Sequence, residues 1–175
     1  MITVLKFWRT AHSYSGLIRM ATCRKSLRSL DYVSFHKLLG TGKGETFTPR
    51  DADPRRWGLL VVIDQQSIST LENSALLQRW RRRSISEYSA DLSPISIHGQ
   101  WSRRTPFTDI PLADRNWSGP IAAITRARIK WRKNLIFWRS VPPVTESLHN
   151  CEGLIAAIGI GEAPIGLQGT FSEIG

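Results

Sequence analysis

The sequence predicts an α+β domain built from two halves of similar plan. Three observations carry that prediction. Short β-favouring runs alternate with stretches of helical spacing, as where ITVLKFW (Ile2 to Trp8) gives way to Ser15 to Leu30. Two segments share one pattern of apolar run, G-x-G, acid and further strand: KLLGTGKGE, and AAIGIGEAP followed by TFSEI. Between them lies a stretch without any period, Gly99 to Gly119. Two βαβ-type halves in this order form the arrangement of a ferredoxin-like repeat. A length of 175 residues suits one domain, 1–175, with halves of about 1–98 and 119–175 and a Trp- and Pro-bearing loop, 99–118.

The elements follow in chain order. Ile2 to Trp8 is short, apolar and β-favouring. Ser15 to Leu30 carries Leu17, Ile18, Ala21, Leu27 and Leu30 at helical intervals, with basic residues between them. Val33 to Leu39 is a second strand, and Trp57 to Ile63 (WGLLVVI) a buried third. Asp64 stands where an N-cap belongs, before a helix over Ser67 to Arg82 marked by Ile68, Leu71, Ala75, Leu76 and Trp80. Tyr88 to Ile97 reads as a strand interrupted at Pro94. The loop then brings Trp101, Pro106, Phe107, Pro111 and Trp117 with no regular pattern, and a connection so long is more often functional than not. After it the pattern restarts: a strand over Pro120 to Ile129, a helix from Trp131 broken at Pro142-Pro143, and strands over Leu154 to Ile160 and Gly169 to Ile174.

Composition narrows the function classes. The hydrophobic fraction of 41% excludes a disordered chain, and a net charge of +10 calls for an anionic partner: nucleic acid, acidic lipid or an acidic protein. Cys23 and Cys151 make no disulfide framework and read as free thiols of a reducing compartment. No apolar run reaches membrane-spanning length, because Glu162 and Pro164 break the longest one. The first 30 residues hold no acid and several bases, a composition shared with organellar transit peptides, yet MITVLKFW already reads as a strand of the fold. Lys6 and Arg9 interrupt any secretory core there. The expected location is the cytoplasm, with peripheral contact on the inner membrane.

The glycines of FHKLLGTGKGETFTP invite a phosphate-binding reading, which their spacing refuses. A Walker loop needs Lys followed by Ser or Thr and then a helix, whereas Lys43 precedes Gly44 and a strand follows. Gly40, Gly42 and Gly44 lack the Rossmann spacing too. They are expected to supply positive φ in a bend or bulge. No Ser lies in G-x-S-x-G, and neither cysteine has a C-x-x-C partner, so catalytic triads and zinc sites are not indicated. Glu45 and Glu162 occupy equivalent places in the two glycine segments, as acids in a pocket or, the expected role, as partners of local backbone amides.

KLLGTGKGETFTP, SPISIHGQWSRRTPF, GPIAAITRARI, FWRSVP and GIGEAPIGLQGTFS, in this order over Phe35 to Ser172, resemble the spheroidene monooxygenase family of acyclic carotenoid ketolases. The resemblance implies a dimeric α/β-barrel type of fold made from ferredoxin-like units. It further implies a monooxygenase using haem b and O₂, which places a keto group on an acyclic carotenoid or similar apolar polyene with electrons from reduced ferredoxin. Two departures stand out: Arg103 occupies a place where the family has Gly, and Glu173-Ile174 replace an aromatic after TFS.

A haem iron needs an axial ligand and a dry pocket. His98, in HGQW at the mouth of the loop, is the first choice for ligand and catalytic centre, and His36 is the second. His149 reads as a helix C-terminal group serving the dipole, His12 as a turn residue, and Cys151 as a poorly supported thiolate. Arg126 and Arg128 alternate on one strand face and suit haem propionates, with Arg9 and Lys37 similarly placed. Phe47, Trp101, Phe107 and Trp138 are the aromatics for an apolar tunnel, although helical spacing makes core packing the plainer role of Trp138. The rival reading is a non-catalytic basic α/β-barrel module that binds nucleic acid or an anionic membrane. RWRRRS, Arg79 to Ser84, carries that rival, but no nucleic-acid motif accompanies it, which disfavours nucleic acid.

Overall fold

A computed structural model of the chain describes residues 1–43, 51–125, 150 and 152–162. The strand β1 (Ile2–Thr10) leads into helix α1 (Ser13–Arg28), then β2 (Val33–Gly42) and β3 (Ala52–Ile63). Two short helices, α2 (Ile68–Glu72) and α3 (Ala75–Arg81), precede β4 (Ser84–Leu92), and β5 (Ile160–Glu162) closes the order. The strands form one sheet in the order β4-β1-β3-β2-β5, with every neighbouring pair antiparallel. The βαββαβ succession with the order β4-β1-β3-β2 is the ferredoxin-like arrangement, completed within the first half of the chain.

Alternation along the strands sorts side chains onto two sheet faces. On one face Val4, Trp8, Leu38, Trp57, Leu59, Val61 and Ile63 pack under Met20, Cys23 and Leu27 of α1 and Leu76, Leu77 and Trp80 of α3. Trp8 and Trp80 stack there with ring centroids 4.9 Å apart. Each fully buried aliphatic side chain contributes about 1.5–3 kcal/mol over its exposed state. Phe35, Leu39, Leu60 and Val62 face the other way, where loop residues Trp101 and Ile110 cover them. The irregular loop is thus the second layer on the face away from α1 and α3.

Four elements differ from expectation. The helix foreseen over Ser67 to Arg82 is broken at Asn73-Ser74, two poor helix formers. Ser74 starts a fresh helix, its Oγ accepting from the Leu77 amide at 3.3 Å. The fourth strand begins at Ser84, four residues ahead of the predicted Tyr88, because its backbone pairs with β1 from Thr10 onward. The described residues of the strand foreseen over Pro120 to Ile129, 120–125, form no strand, and of Leu154 to Ile160 only Ile160 is in one. The predicted elements over Trp131 to His149 and Gly169 to Ile174 lie outside the described residues.

Gly40 and Gly42 have no positive φ, contrary to expectation; of the bend or bulge foreseen there, β2 shows the bulge, a register shift between Gly40 and Thr41, and Gly44 lies outside the described residues. The two repeated glycine segments are neighbours. Gly40 pairs with Gly161, Thr41 with Ile160, and the Gly42 amide donates to the Gly159 carbonyl at 2.7 Å. Each G-x-G thus runs antiparallel to the other about a centre at Thr41 and Ile160.

Candidate functional site

The site is built where β2, β5 and the loop meet on the sheet face away from α1 and α3. Phe35 and Lys37 share a side of β2 by strand alternation. Trp101 opens a tight two-residue turn, exchanging backbone hydrogen bonds with Arg104 at 2.8 and 3.0 Å. Ser102 and Arg103 sit in the left-handed region at φ 52° and 60°, the conformation that such a turn demands. That turn drives the Trp101 indole onto the sheet, where it is buried. Phe107 follows on the same loop, half-buried.

Phe35, Trp101 and Phe107 form a triangle of edge-to-face rings, with centroids 5.8, 6.4 and 6.5 Å apart. An ionic clamp holds its rim. The Lys37 ammonium donates to Glu162 Oε2 at 2.5 Å and to Ser102 Oγ at 2.6 Å. The Trp101 indole donates to Glu162 Oε1 at 2.6 Å, so one carboxylate joins β5, β2 and the loop. Lys37 also lies 5.8 and 5.9 Å from the Phe35 and Trp101 ring centroids, within cation–π range. Glu162 therefore binds two side chains, where the sequence reading had it bonding backbone amides. Chemically this is an aromatic wall suited to apolar surface, with its charge neutralised at one edge.

Of the sequence candidates, Trp101 and Phe107 come together here. His36 points to the opposite sheet face, alternating with Phe35 and Lys37 and sharing its side with Leu38. It is half-buried. Burial first, then the cations Arg28, Arg24, Lys37 and Arg104, lower its pKa, so the imidazole is neutral with a lone pair to offer. His98 is exposed on the loop, its Nε2 3.0 Å from Ser96 Oγ. Phe47, Arg126, Arg128 and Trp138 lie outside the described residues, as do Glu45, His149 and Cys151. Cys23 is buried beneath α1, and its Sγ accepts from the Trp80 indole at 3.1 Å; burial pushes the thiol pKa up, so it is an inert core group. Sequence reasoning missed Phe35 as a wall residue and Glu162 as the clamp. Alternation on β2 marks Phe35; nothing local marks Glu162, whose partners are remote in sequence.

Comparison with known proteins bears on this arrangement. Spheroidene monooxygenase from Rhodobacter capsulatus is 34% identical over 173 residues, which cover 98% of this chain and 71% of that protein. The chain belongs to the spheroidene monooxygenase family. Its namesakes from Cereibacter sphaeroides and Rubrivivax gelatinosus are 31% and 33% identical over 157 and 140 residues. The chain spans about half of their length, 47% and 53%. No protein-family model matches the chain. A crystal structure of an antibiotic biosynthesis monooxygenase, 9% identical, overlaps 55% of this chain and all of that one with a TM-score of 0.42, a likeness too distant to bear on the chemistry. All three of these relatives are monooxygenases by name.

Proposed function

We propose that this protein is a haem-dependent monooxygenase that introduces a keto group into an acyclic carotenoid or a similar apolar polyene. The observation that carries the reading is identity at 34% along nearly the whole chain with a protein named for that reaction class. Each turnover consumes O₂, two electrons from reduced ferredoxin and two protons; one oxygen atom enters a C–H bond and the other leaves as water. Two such rounds on one methylene give a geminal diol, which loses water to the ketone.

Haem b, when bound, supplies the activation of O₂ that a closed-shell hydrocarbon lacks. Two imidazoles offer donors to such a group: His36, half-buried on the α1 side of the sheet, has Arg24 and Arg28 nearby for propionates. His98, first choice from sequence, offers an imidazole in contact with water and Ser96. His98 shares its loop with Trp101, whereas His36 lies on the sheet face opposite the aromatic wall; in this reading His98 is the axial ligand and His36 the second candidate, with Arg126 and Arg128 as further propionate partners. The Phe35, Trp101 and Phe107 wall holds the polyene by apolar contact and excludes water, while Lys37 and Glu162 keep the loop seated. The basic chain draws in an acidic electron donor. Pairing of the two G-x-G segments supports a second ferredoxin-like unit in the latter half, in the dimeric α/β-barrel plan.

The test is a visible spectrum of protein expressed with haem supply, followed by an O₂-dependent product assay with reduced ferredoxin and acyclic carotenoids. A Soret band that shifts on reduction, is lost in His98→Ala and persists in His36→Ala is the expected result. Persistence in His98→Ala with loss in His36→Ala moves the ligand to β2, away from the aromatic wall. A colourless protein that converts no polyene overturns the reading.

A further inference from the structure

The outer face of α1 is unlike an ordinary solvated helix. Gly16, Met20, Cys23 and Leu27 face the sheet, so the opposite side presents Tyr14, Leu17 and Ile18, exposed by 64, 52 and 63%. Spacing of 3.6 residues per turn continues that stripe through Ala21 into the cations Lys25 and Arg28. The helix contains no acid. Beside it lies α3, joined through the Arg19 guanidinium, which donates to the Arg79 carbonyl at 3.2 Å and sits over the Trp80 ring. That neighbour adds exposed Arg79, Arg82 and Arg83, again with no acid among residues 75–83. The nearby carboxylates Glu72 and Glu87 are turned inward onto Lys6 and Arg81.

We infer that the α1–α3 face docks on an anionic lipid bilayer, with Leu17 and Ile18 entering the acyl boundary and the flanking cations meeting lipid phosphates. Two chemistries decide this over other anions. Branched aliphatic side chains at the crest have no use against a phosphodiester backbone, whereas an interfacial helix needs them. Cations flank the apolar crest, as headgroups flank the acyl region. The inference stands on this surface alone and not on the proposed reaction; its test reads membrane partition rather than turnover.

The experiment is co-sedimentation of the full chain with phosphatidylglycerol/phosphatidylcholine vesicles and with phosphatidylcholine alone, with RNA binding measured in parallel. Partition confined to the anionic vesicles and weakened by salt is expected. Leu17→Ser with Ile18→Ser should reduce it by about tenfold or more, as should Arg82→Glu with Arg83→Glu. Ile85→Ser, an equally exposed apolar site on β4, should leave it unchanged. Circular dichroism of each variant confirms folding, and the single Ile18→Ser serves if the pair fails to fold. Equal binding to neutral vesicles, binding insensitive to Leu17 and Ile18, or RNA binding without vesicle binding overturns the inference. So does loss of self-association, without any vesicle binding, in the Leu17 and Ile18 variants.

Discussion

Gly16 is the fourth residue of α1, where alanine would ordinarily add up to about 1 kcal/mol of helix stability. Here a Cβ would stand 1.9 Å from the Trp57 Nε1, and that indole is fixed by its own hydrogen bond to the Pro54 carbonyl at 3.1 Å. Overpacking of this kind costs about 1–3 kcal/mol or more, so the clash wins. Gly16→Ala should lower the thermal midpoint by several degrees, and an unchanged or raised midpoint would show that α1 shifts freely. Arg103 presents the opposite case. Its φ of 60° carries a steric penalty of about 1–2 kcal/mol for a side chain. Glycine relieves that strain but loses more entropy on folding. Arg103→Gly should therefore stabilise by about 0.5–1 kcal/mol in urea unfolding. The family resemblance had already singled out this position, and the turn gives the physical reason glycine belongs there.

At the scale of elements, a buried ion cluster ties β1 to α2, α3 and β4. Lys6 is 1% exposed, and its three ammonium protons meet Glu72 at 2.7 Å, Ser89 at 2.8 Å and Glu87 at 3.3 Å. Arg81 bonds both carboxylates from the other side. Burial raises the pKa values of Glu72 and Glu87, yet hydrogen bonds and charge from Lys6 and Arg81 outweigh it and hold both carboxyls below their ordinary range. The unfolded chain then binds more protons in mild acid. The stability from this cluster is complete above about pH 5 and is lost as pH falls through about 4 and below. Urea unfolding across that range should fall steeply for the native chain and more shallowly for Lys6→Met, which itself should cost about 3–5 kcal/mol at neutral pH. Equal slopes would remove the cluster from the acid response. None of this was legible in the sequence, because Lys6 looks like a solvated break in an apolar strand and its partners lie 66 or more residues away. What was legible is what repeats locally. Strands β1 and β2 and helix α1 lie within a few residues of their expected ends, and β3 ends at Ile63 as expected, whereas the described residues of the apolar runs at Pro120 and Leu154 do not form the strands their composition suggested. The break at Asn73-Ser74 was hidden because apolar spacing continues across it, and β4 was misplaced because Ser84 to Ser89 alternates weakly. Trp101 and Phe107 stood out in the site as aromatics in an irregular loop, whereas Glu162 did not.

For the molecule as a whole, that carboxylate fastens the end of the described chain to its beginning. Lys37 and Glu162 are 125 residues apart, and their side chains are only 15 and 14% exposed. Glu162→Gln keeps shape and still accepts from the Trp101 indole, but leaves the Lys37 ammonium with Ser102 as its remaining partner in the clamp. Such an uncompensated, largely buried cation should cost about 3 kcal/mol. The aromatic wall depends on the same carboxylate, since the loop residues Trp101 and Ser102 are fastened through it. A loosened wall should raise KM for an apolar substrate severalfold with little change in kcat, the signature of lost uniform binding. Lys37→Met combined with Glu162→Leu removes both charges together and should recover most of the lost stability, because two apolar side chains of similar volume need no partners. A double-mutant cycle separates the accounts. Coupling of 1 kcal/mol or more between the two positions, read from urea unfolding, is expected for a closed clamp. Purely additive losses would mean that β5 is held by its backbone ladder to β2 alone, and that the loop keeps its seat without the carboxylate.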